Sequence, residues 1–453
     1  MLSEIIERFS KKAPLSVMAR ALMENALEHS RVDSLFEQTA ESGYTRKLLF
    51  SHLVDLMAVV VCRLRPAINS AIRYVNLPAS ATAVYNKLQR VELGVLEALL
   101  RDIAARLALV IVEMKATLAG PIPGYESWVL DGNHLSSTQR RLKALWQSWA
   151  GPLPGTVLVF FNPQLRLMFD SILIEDGHAQ ERSRTADIIA RLKAGIVLIA
   201  DRNFCTQALL MGIARKEAFF VIRHHANTPV KLLGECVLAG DTETGRVYEQ
   251  AGVLEFEGKV ERVRRVTLEL TKTTRDGDSS LHVLTNLPAD VAAPLVAEAY
   301  RSRWSIETAF QDLTVALEGE IETLGYPKAA LFGFTMALIA YNVLSAIRAA
   351  IRVAWGTEQE RELSEYYIAN DVHYASGGMS AITEEKEWEF ARKASIAELA
   401  EMLVKWAKNV NLKPLTKSKR GVKKPVPART EHKGEPHVST AKLLAKAHGR
   451  KPC

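Results

Sequence analysis

The chain has 453 residues, of which 48% are hydrophobic and 24% charged, enough apolar material for two or three packed domains and too much for a wholly disordered protein. Its formal net charge is +7, and residues 413–453 hold 12 Lys and Arg against Glu431 and Glu435, a local +10 that leaves −3 for residues 1–412. That concentration of charge points to a polyanionic partner, nucleic acid or an anionic surface, and excludes an evenly basic protein.

The N-terminus, Met1 to Arg8, carries acids early and no apolar run, so no secretory signal is expected. Residues 1–120 read as a helical N-terminal domain: Leu49, Leu53, Leu56, Met57, Val60 and Leu64 share one face, and Leu96, Leu99, Leu100, Ile103, Leu107, Val110, Ile111 and Met114 another. Pro121 to Gly124 breaks the pattern. An α/β region follows: a strand Trp128–Asp131, then a hairpin of Val157–Phe161 and Leu165–Ile174 turned at Asn162-Pro163. A helix Arg184–Lys193 is stopped by Gly195, and the apolar run Ile196–Ala200 reads as a strand buried on both faces, ending on Asp201. Residues 218–287 turn β-rich, with Val266, Leu268 and Leu270 alternating with polar neighbours, and read as an insertion between the two parts of the α/β domain, 125–217 and 288–350.

The helical period returns over 292–317. The 19 uncharged residues Ala329–Ile347 are long enough to span a bilayer, yet Thr335, Tyr341, Asn342 and Ser345 and the lack of a partner span favour a buried helix in a large core, with no membrane involved. Residues 351–412 read as a C-terminal helical region; its last helix starts at Ser395, with Glu398 placed for a capping box and Leu399, Met402, Leu403 and Trp406 on one face. From Lys413 onward there is no periodicity, and 413–453 reads as a disordered basic tail. Cys62, Cys205, Cys236 and Cys453 include no pair at zinc spacing, which fits a reducing cytoplasm.

Asp131 and Asp201 each close an apolar strand, where an Asp serves either as a turn former or, with a second acid beside it, as a ligand for a hard cation. Tyr300, Arg303, Trp304 and Glu307 follow i, i+3, i+4, i+7 spacing. That stripe is either a salt-bridged face with packed aromatics or an acid, a cation and two rings presented together. His224-His225 lacks a further ligand at zinc spacing and reads as structural, Asp170 and Glu175 read as a solvated strand face, and no Gly-rich phosphate loop is present.

The segment Tyr300-Arg301-Ser302-Arg303-Trp304-Ser305-Ile306-Glu307 resembles the Tyr-Arg-Glu signature of bacterial insertion-sequence DDE transposases of the insertion-sequence-four group. Val129-Leu130-Asp131-Gly132 resembles that group's first-Asp motif, and Ile199-Ala200-Asp201-Arg202-Asn203-Phe204 its second. The resemblance covers about 125–350. It implies a ribonuclease-H-like mixed α/β sheet with a β insertion, and metal-dependent DNA cleavage and strand transfer at the ends of an insertion sequence. It further implies that Asp131, Asp201 and Glu307 hold two Mg²⁺ or Mn²⁺ ions, that Arg303 and Tyr300 contact a phosphate, and that Trp304 stacks a base. The implied partners are double-stranded DNA, as terminal inverted repeats and as target, and a second copy of the chain; the implied location is the bacterial cytoplasm, at the nucleoid. The group usually has Lys seven residues after the Glu, where this chain has Thr314, and Gln311 is not basic either. Two alternatives stand beside this reading: a ribonuclease-H-like nuclease without strand transfer, and a catalytically silent DNA-binding protein.

Overall fold

The computed structural model describes residues 3–41, 47–77, 79–146, 151–274, 277–418 and 437–449. Its strands are β1 (Ser127–His134), the two-residue β2 (Pro152–Leu153), β3 (Thr156–Asn162), β4 (Leu167–Ile174), β5 (Val197–Ala200), β6 (Phe219–Arg223), β7 (Lys231–Thr242), β8 (Gly245–Phe256), β9 (Lys259–Leu270), β10 (Ser280–Thr285) and β11 (Val438–Ser439). Nine of them form one mixed sheet in the order β4-β3-β1-β5-β6-β10-β9-β8-β7. Within it β1, β5 and β6 run parallel, β3 pairs antiparallel with β1 and β4 antiparallel with β3, the mixed α/β sheet that the resemblance implies.

Alternation along the strands builds two cores. Val129, Val157, Val159, Phe161, Val197 and Ile199 face a large core shared with the N- and C-terminal helices. Leu130, Leu158, Phe160, Leu198 and Ala200 face a smaller one under the helices Thr185–Arg191 and Gln207–Arg215. A strand covered on both faces has no position for a polar side chain, which is why these segments are unbroken apolar runs. The β3–β4 turn closes through Asn162, whose Oδ1 accepts from the N–H groups of Gln164 (3.0 Å) and Leu165 (3.1 Å).

The β-rich segment 218–287, read as an insertion, does not stand apart from the central sheet. β6 belongs to the central sheet, parallel to β5, and β10 pairs antiparallel with β6, so that β9, β8 and β7 extend the same sheet. The other edge of β6 would otherwise leave main-chain groups unpaired, and the return of the insertion at β10 satisfies them. Residues 1–120 likewise have no core of their own. Helix Leu93–Glu113 packs on helix Pro327–Trp355 and both join helix Ile396–Ala407 in the large core, because the apolar face of Leu96, Leu99, Leu100, Ile103 and Leu107 is wide enough to cover that central helix.

Helix Pro327–Trp355 spans 29 residues, and its most apolar 18-residue window is 100% buried inside the protein. The Asn342 side chain explains one of its polar positions: Oδ1 accepts from the Met168 N–H and Nδ2 donates to the Met168 carbonyl, both at 2.8 Å, at the start of edge strand β4. Near its C-terminus Arg348 and Arg352 meet Glu360, and Arg348 also meets Glu365, so the buried charges are paired. The Ser395 capping box forms: Ser395 Oγ accepts from the Glu398 N–H at 3.3 Å, and Glu398 Oε2 from the Ser395 N–H at 2.9 Å.

Two expectations of solvation are corrected. Asp170 is buried, bound to Arg101 at 2.9 Å and Arg191 at 3.2 Å, because helices lie over its face of the sheet. The 413–453 segment is ordered at both described ends: Leu415 is buried, and β11 pairs parallel with β2 ahead of helix Thr440–Ala447, whose Lys442 reaches Asp176 at 2.8 Å. A two-residue strand and a two-turn helix are too short to register as periodicity. Residues 419–436 and 450–453 of that expected tail lie outside the described residues.

Replacing Asn342 by Ala should destabilise the fold by about 1–3 kcal/mol in urea denaturation, since both Met168 main-chain groups lose their buried partner. A change within error of zero would mean that another group takes up the bonds.

Candidate active site

In the β1–β5 pair Leu130 sits opposite Ala200, so Asp131 and Asp201 follow at the same end of neighbouring parallel strands. Glu307 arrives from a distant part of the chain, in the first turn of helix Trp304–Ala316, which packs against β1. The stretch from Tyr300 to Glu307 is not one continuous α-helix. Helix Ala293–Arg301 ends at Ser302, and the backbone tightens there: Arg303 N–H bonds the Tyr300 carbonyl (3.1 Å), Ser305 N–H that of Ser302 (3.0 Å) and Ile306 N–H that of Arg303 (3.1 Å). The Ser302 hydroxyl competes for the backbone by donating to the Ala299 carbonyl at 2.6 Å. Tyr300 and Arg303 are buried at this joint while Trp304 stays 46% exposed.

Arg303 ties two of the acids together. Its Nη1 donates to Asp131 Oδ2 at 2.9 Å and its Nη2 lies 2.6 Å from Glu307 Oε1. The Tyr300 hydroxyl donates to Asp201 Oδ1 at 3.4 Å, and the Arg303 guanidinium lies 5.9 Å from the Tyr300 ring centre. Both readings of the stripe thus meet in one place: the i,i+4 pair of Arg303 and Glu307 exists, and it closes onto the strand acids.

Burial dominates the electrostatics. It pushes Asp131 up to about 7, against the pull of Arg303 and of the Gly132 N–H (2.9 Å from Oδ1), with Glu181 and Glu307 raising it further. Burial also drives Tyr300 up to about 12, so its hydroxyl remains a donor at neutral pH. For Arg303, burial opposes the charge, but Asp131, Tyr300 and Glu307 together raise it.

Glu181 is a neighbour of the site that sequence reasoning missed. It sits in a short turn, Glu181–Arg184, bonded by the Asn203 side chain, and it lies so close to Gly132 that a Cβ there would come within 1.9 Å of its Oε1. Its carboxyl is raised above the ordinary range by burial. The legible signal was the missing side chain beside Asp131, without a pointer to what fills the space. Thr314 is exposed and its hydroxyl donates to the Phe310 carbonyl at 3.2 Å, and Gln311 is exposed as well. His224 and His225 make local bonds, to the Thr228 carbonyl (3.0 Å) and from the Asn227 N–H (3.1 Å). Glu175 lies 3.9 Å from Lys328.

The donor set suits a hard divalent cation, being carboxylate oxygens gathered at one sheet end with Asn203 nearby. Among the described residues no three His, Cys, Asp or Glu side chains are arranged to hold an ion as they stand; the positive charge between Asp131 and Glu307 is the guanidinium of Arg303, whose buried Nε has no partner.

Because the folded chain keeps a proton on Asp131 that the unfolded chain releases, this group's contribution to stability is complete below the ordinary carboxylate range and is lost as pH rises towards about 7. Arg303→Met should steepen that loss. It should cost roughly 3 kcal/mol at pH 8, the low end for a broken buried pair because Glu307 is half exposed, and less at pH 5, where an unpaired Asp131 is neutral. Equal costs at the two pH values would show that packing, not charge, is what Arg303 provides.

Residues 156–343 match the family model described as the transposase DDE domain, a segment that contains Asp201 and Glu307 and begins after Asp131. No curated protein matches the chain. Among solved structures, the piggyBac transposase synaptic complex with hairpin DNA, determined by cryo-electron microscopy, is similar at 8% identity over 82% of each chain with a TM-score of 0.36. Residues 156–343, which hold eight of the sheet's nine strands and two of the three acids, thus form a transposase DDE domain, and the chain acts as a transposase, an enzyme of metal-dependent phosphoryl transfer on DNA.

Proposed function

We propose that this transposase is of the insertion-sequence-four group and that Asp131, Asp201 and Glu307 are its catalytic acids, jointly holding two Mg²⁺ or Mn²⁺ ions. The observation that carries this reading is the joining of the signature to the acids: Arg303 contacts both Asp131 and Glu307, and Tyr300 contacts Asp201. A salt-bridged surface face would have no reason to reach two separate strand ends. A divalent ion bound there supplies Lewis acidity towards a phosphodiester and the attacking hydroxyl.

The chain's own groups then do the positioning. In this reading Arg303 turns its rigid fork, held here by Asp131 and Glu307, towards a phosphate, and the protonated Tyr300 beside Asp201 helps to fix the same strand. Trp304, exposed next to Arg303, offers a flat face to an unpaired base at the DNA end. The substrate in this reading is duplex DNA bearing terminal inverted repeats, and transposition needs two ends, hence a dimer assembled on DNA. The cations of the 413–453 segment add sequence-independent affinity.

Asp131→Ala, Asp201→Ala and Glu307→Ala should each abolish cleavage of an end-bearing duplex in Mg²⁺, with duplex binding in Ca²⁺ retained. Incubating cleaved ends with a target plasmid should give joined products with the unaltered chain; cutting without joining would reduce the activity to that of a nuclease, and binding lost with the acids would make them structural. Trp304→Ala should melt like the parent and cut poorly, with about 1–3 kcal/mol of lost stacking on the DNA end. A large fall in melting temperature would instead make Trp304 a packing residue.

A further inference from the structure

The acids occupy one side of the β5 terminus, and a cavity of about 170 Å³ occupies the space beside it, lined in part by Arg182, Arg202, Asn203, Thr206, Gln207 and His225. Topology gathers these residues. Arg202 and Asn203 directly follow Asp201, Arg182 directly follows Glu181, and His225 comes just after β6, whose Ile222 is paired with Ala200. Helix Gln207–Arg215 starts at the cavity, with Thr206 as its cap, and directs its positive end there. None of the residues lining the cavity is a carboxylate.

Some arginines near the surface are neutralised by a neighbour, as the exposed Arg361 is by Glu358 and the half-buried Arg301 by Glu298. Arg182 and Arg202 are exposed, and among the described residues neither side chain forms an ion pair, although the field of Arg202 is felt at Asp278. His225 Nδ1 accepts from the Asn227 N–H, which places the ring proton of the neutral form on Nε2. The Asn203 side chain reaches Glu181, itself packed against Gly132, so the cavity is tied to the position next to Asp131. Two guanidinium groups that form no ion pair among the described residues, in a cavity lined by no carboxylate and with a helix N-terminus at its wall, match the charge of a phosphate.

We propose that this pocket is a subsite for one backbone phosphodiester of the bound DNA, close to but distinct from the scissile one, gripped by Arg182 and Arg202. The inference rests on reading Asp131, Asp201 and Glu307 as the active site.

The test is the salt dependence of duplex binding by the full chain in Ca²⁺, with labelled double-stranded DNA as the probe. Neutralising one phosphate contributes about 0.9 to the slope of log affinity against log salt, so Arg182→Gln with Arg202→Gln should flatten the slope by about 1. The same pair changed to Lys should keep the slope, and Arg361→Gln, remote and already paired, should leave it unaltered. Should the Gln pair lower the melting temperature, the Lys pair decides, since it retains charge: a lost slope there overturns the proposal. An unchanged slope in the Gln pair of a chain that binds and cuts DNA overturns the pocket alone, whereas a parent chain that neither binds nor cuts overturns the active-site reading with it. If inorganic phosphate raises the melting temperature of the parent but not of the Gln pair while their DNA slopes coincide, the pocket holds a free anion and the proposal fails.

Discussion

Charge compensation by Arg303 governs this end of the molecule. Asp131 is largely buried, Glu181 presses against its neighbour Gly132, and Asp201 emerges from the adjacent strand, so several carboxylates share a volume with little water. Like charges so placed cannot all ionise without a cation among them. The chain's solution is to break a helix at Ser302 and turn one guanidinium inward, where it meets an acid from the sheet and an acid from its own next turn. The sharp joint between helices Ala293–Arg301 and Trp304–Ala316 is therefore part of the electrostatics as well as of the backbone path.

The rest of the fold serves to hold those pieces in register. Parallel pairing of β1 with β5 brings two strand ends level, and the large core locks the helix that brings Glu307 against β1. That core draws on both ends of the chain, since helices from the first hundred residues and from beyond residue 390 close around Pro327–Trp355. Stability of the site is then a property of the whole chain: loosening the N-terminal helices exposes the central helix, and with it the anchor of β4 at Asn342.

What could be read beforehand follows from how local each signal is. Asp131 and Asp201 were legible because a doubly covered strand is an apolar run and an acid at its end is conspicuous. Glu307 was visible only through its resemblance to a known signature, since i,i+4 spacing with Arg303 is common on any helix surface. The break at Ser302 was hidden because a hydroxyl bonding its own backbone leaves no trace in the hydrophobic pattern. β6 was grouped with the insertion because its chain neighbours are β-rich, although its buried residues Phe220, Val221 and Ile222 share the composition of β5. Glu181 and the burial of Asp170 depend on elements far apart in the chain, and the docking of β11 on β2 depends on a pairing only two residues long.

The insertion ends the nine-stranded sheet on β7, a strand of 12 residues that carries exposed Leu233, Val237 and Leu238 and, among the described residues, has no strand on its outer side. A straight strand of that kind would template the addition of another chain. Here the ladder with β8 slips twice, between Leu233 and Val237 and between Leu238 and Gly240, and Gly234 and Gly240 take positive φ values of 64° and 138°. Each slip changes which main-chain groups face outward, so an incoming strand finds matching donors and acceptors only over a few residues at a time. The sheet is long enough to invite fibrillar growth, and its own irregular last strand is what terminates it.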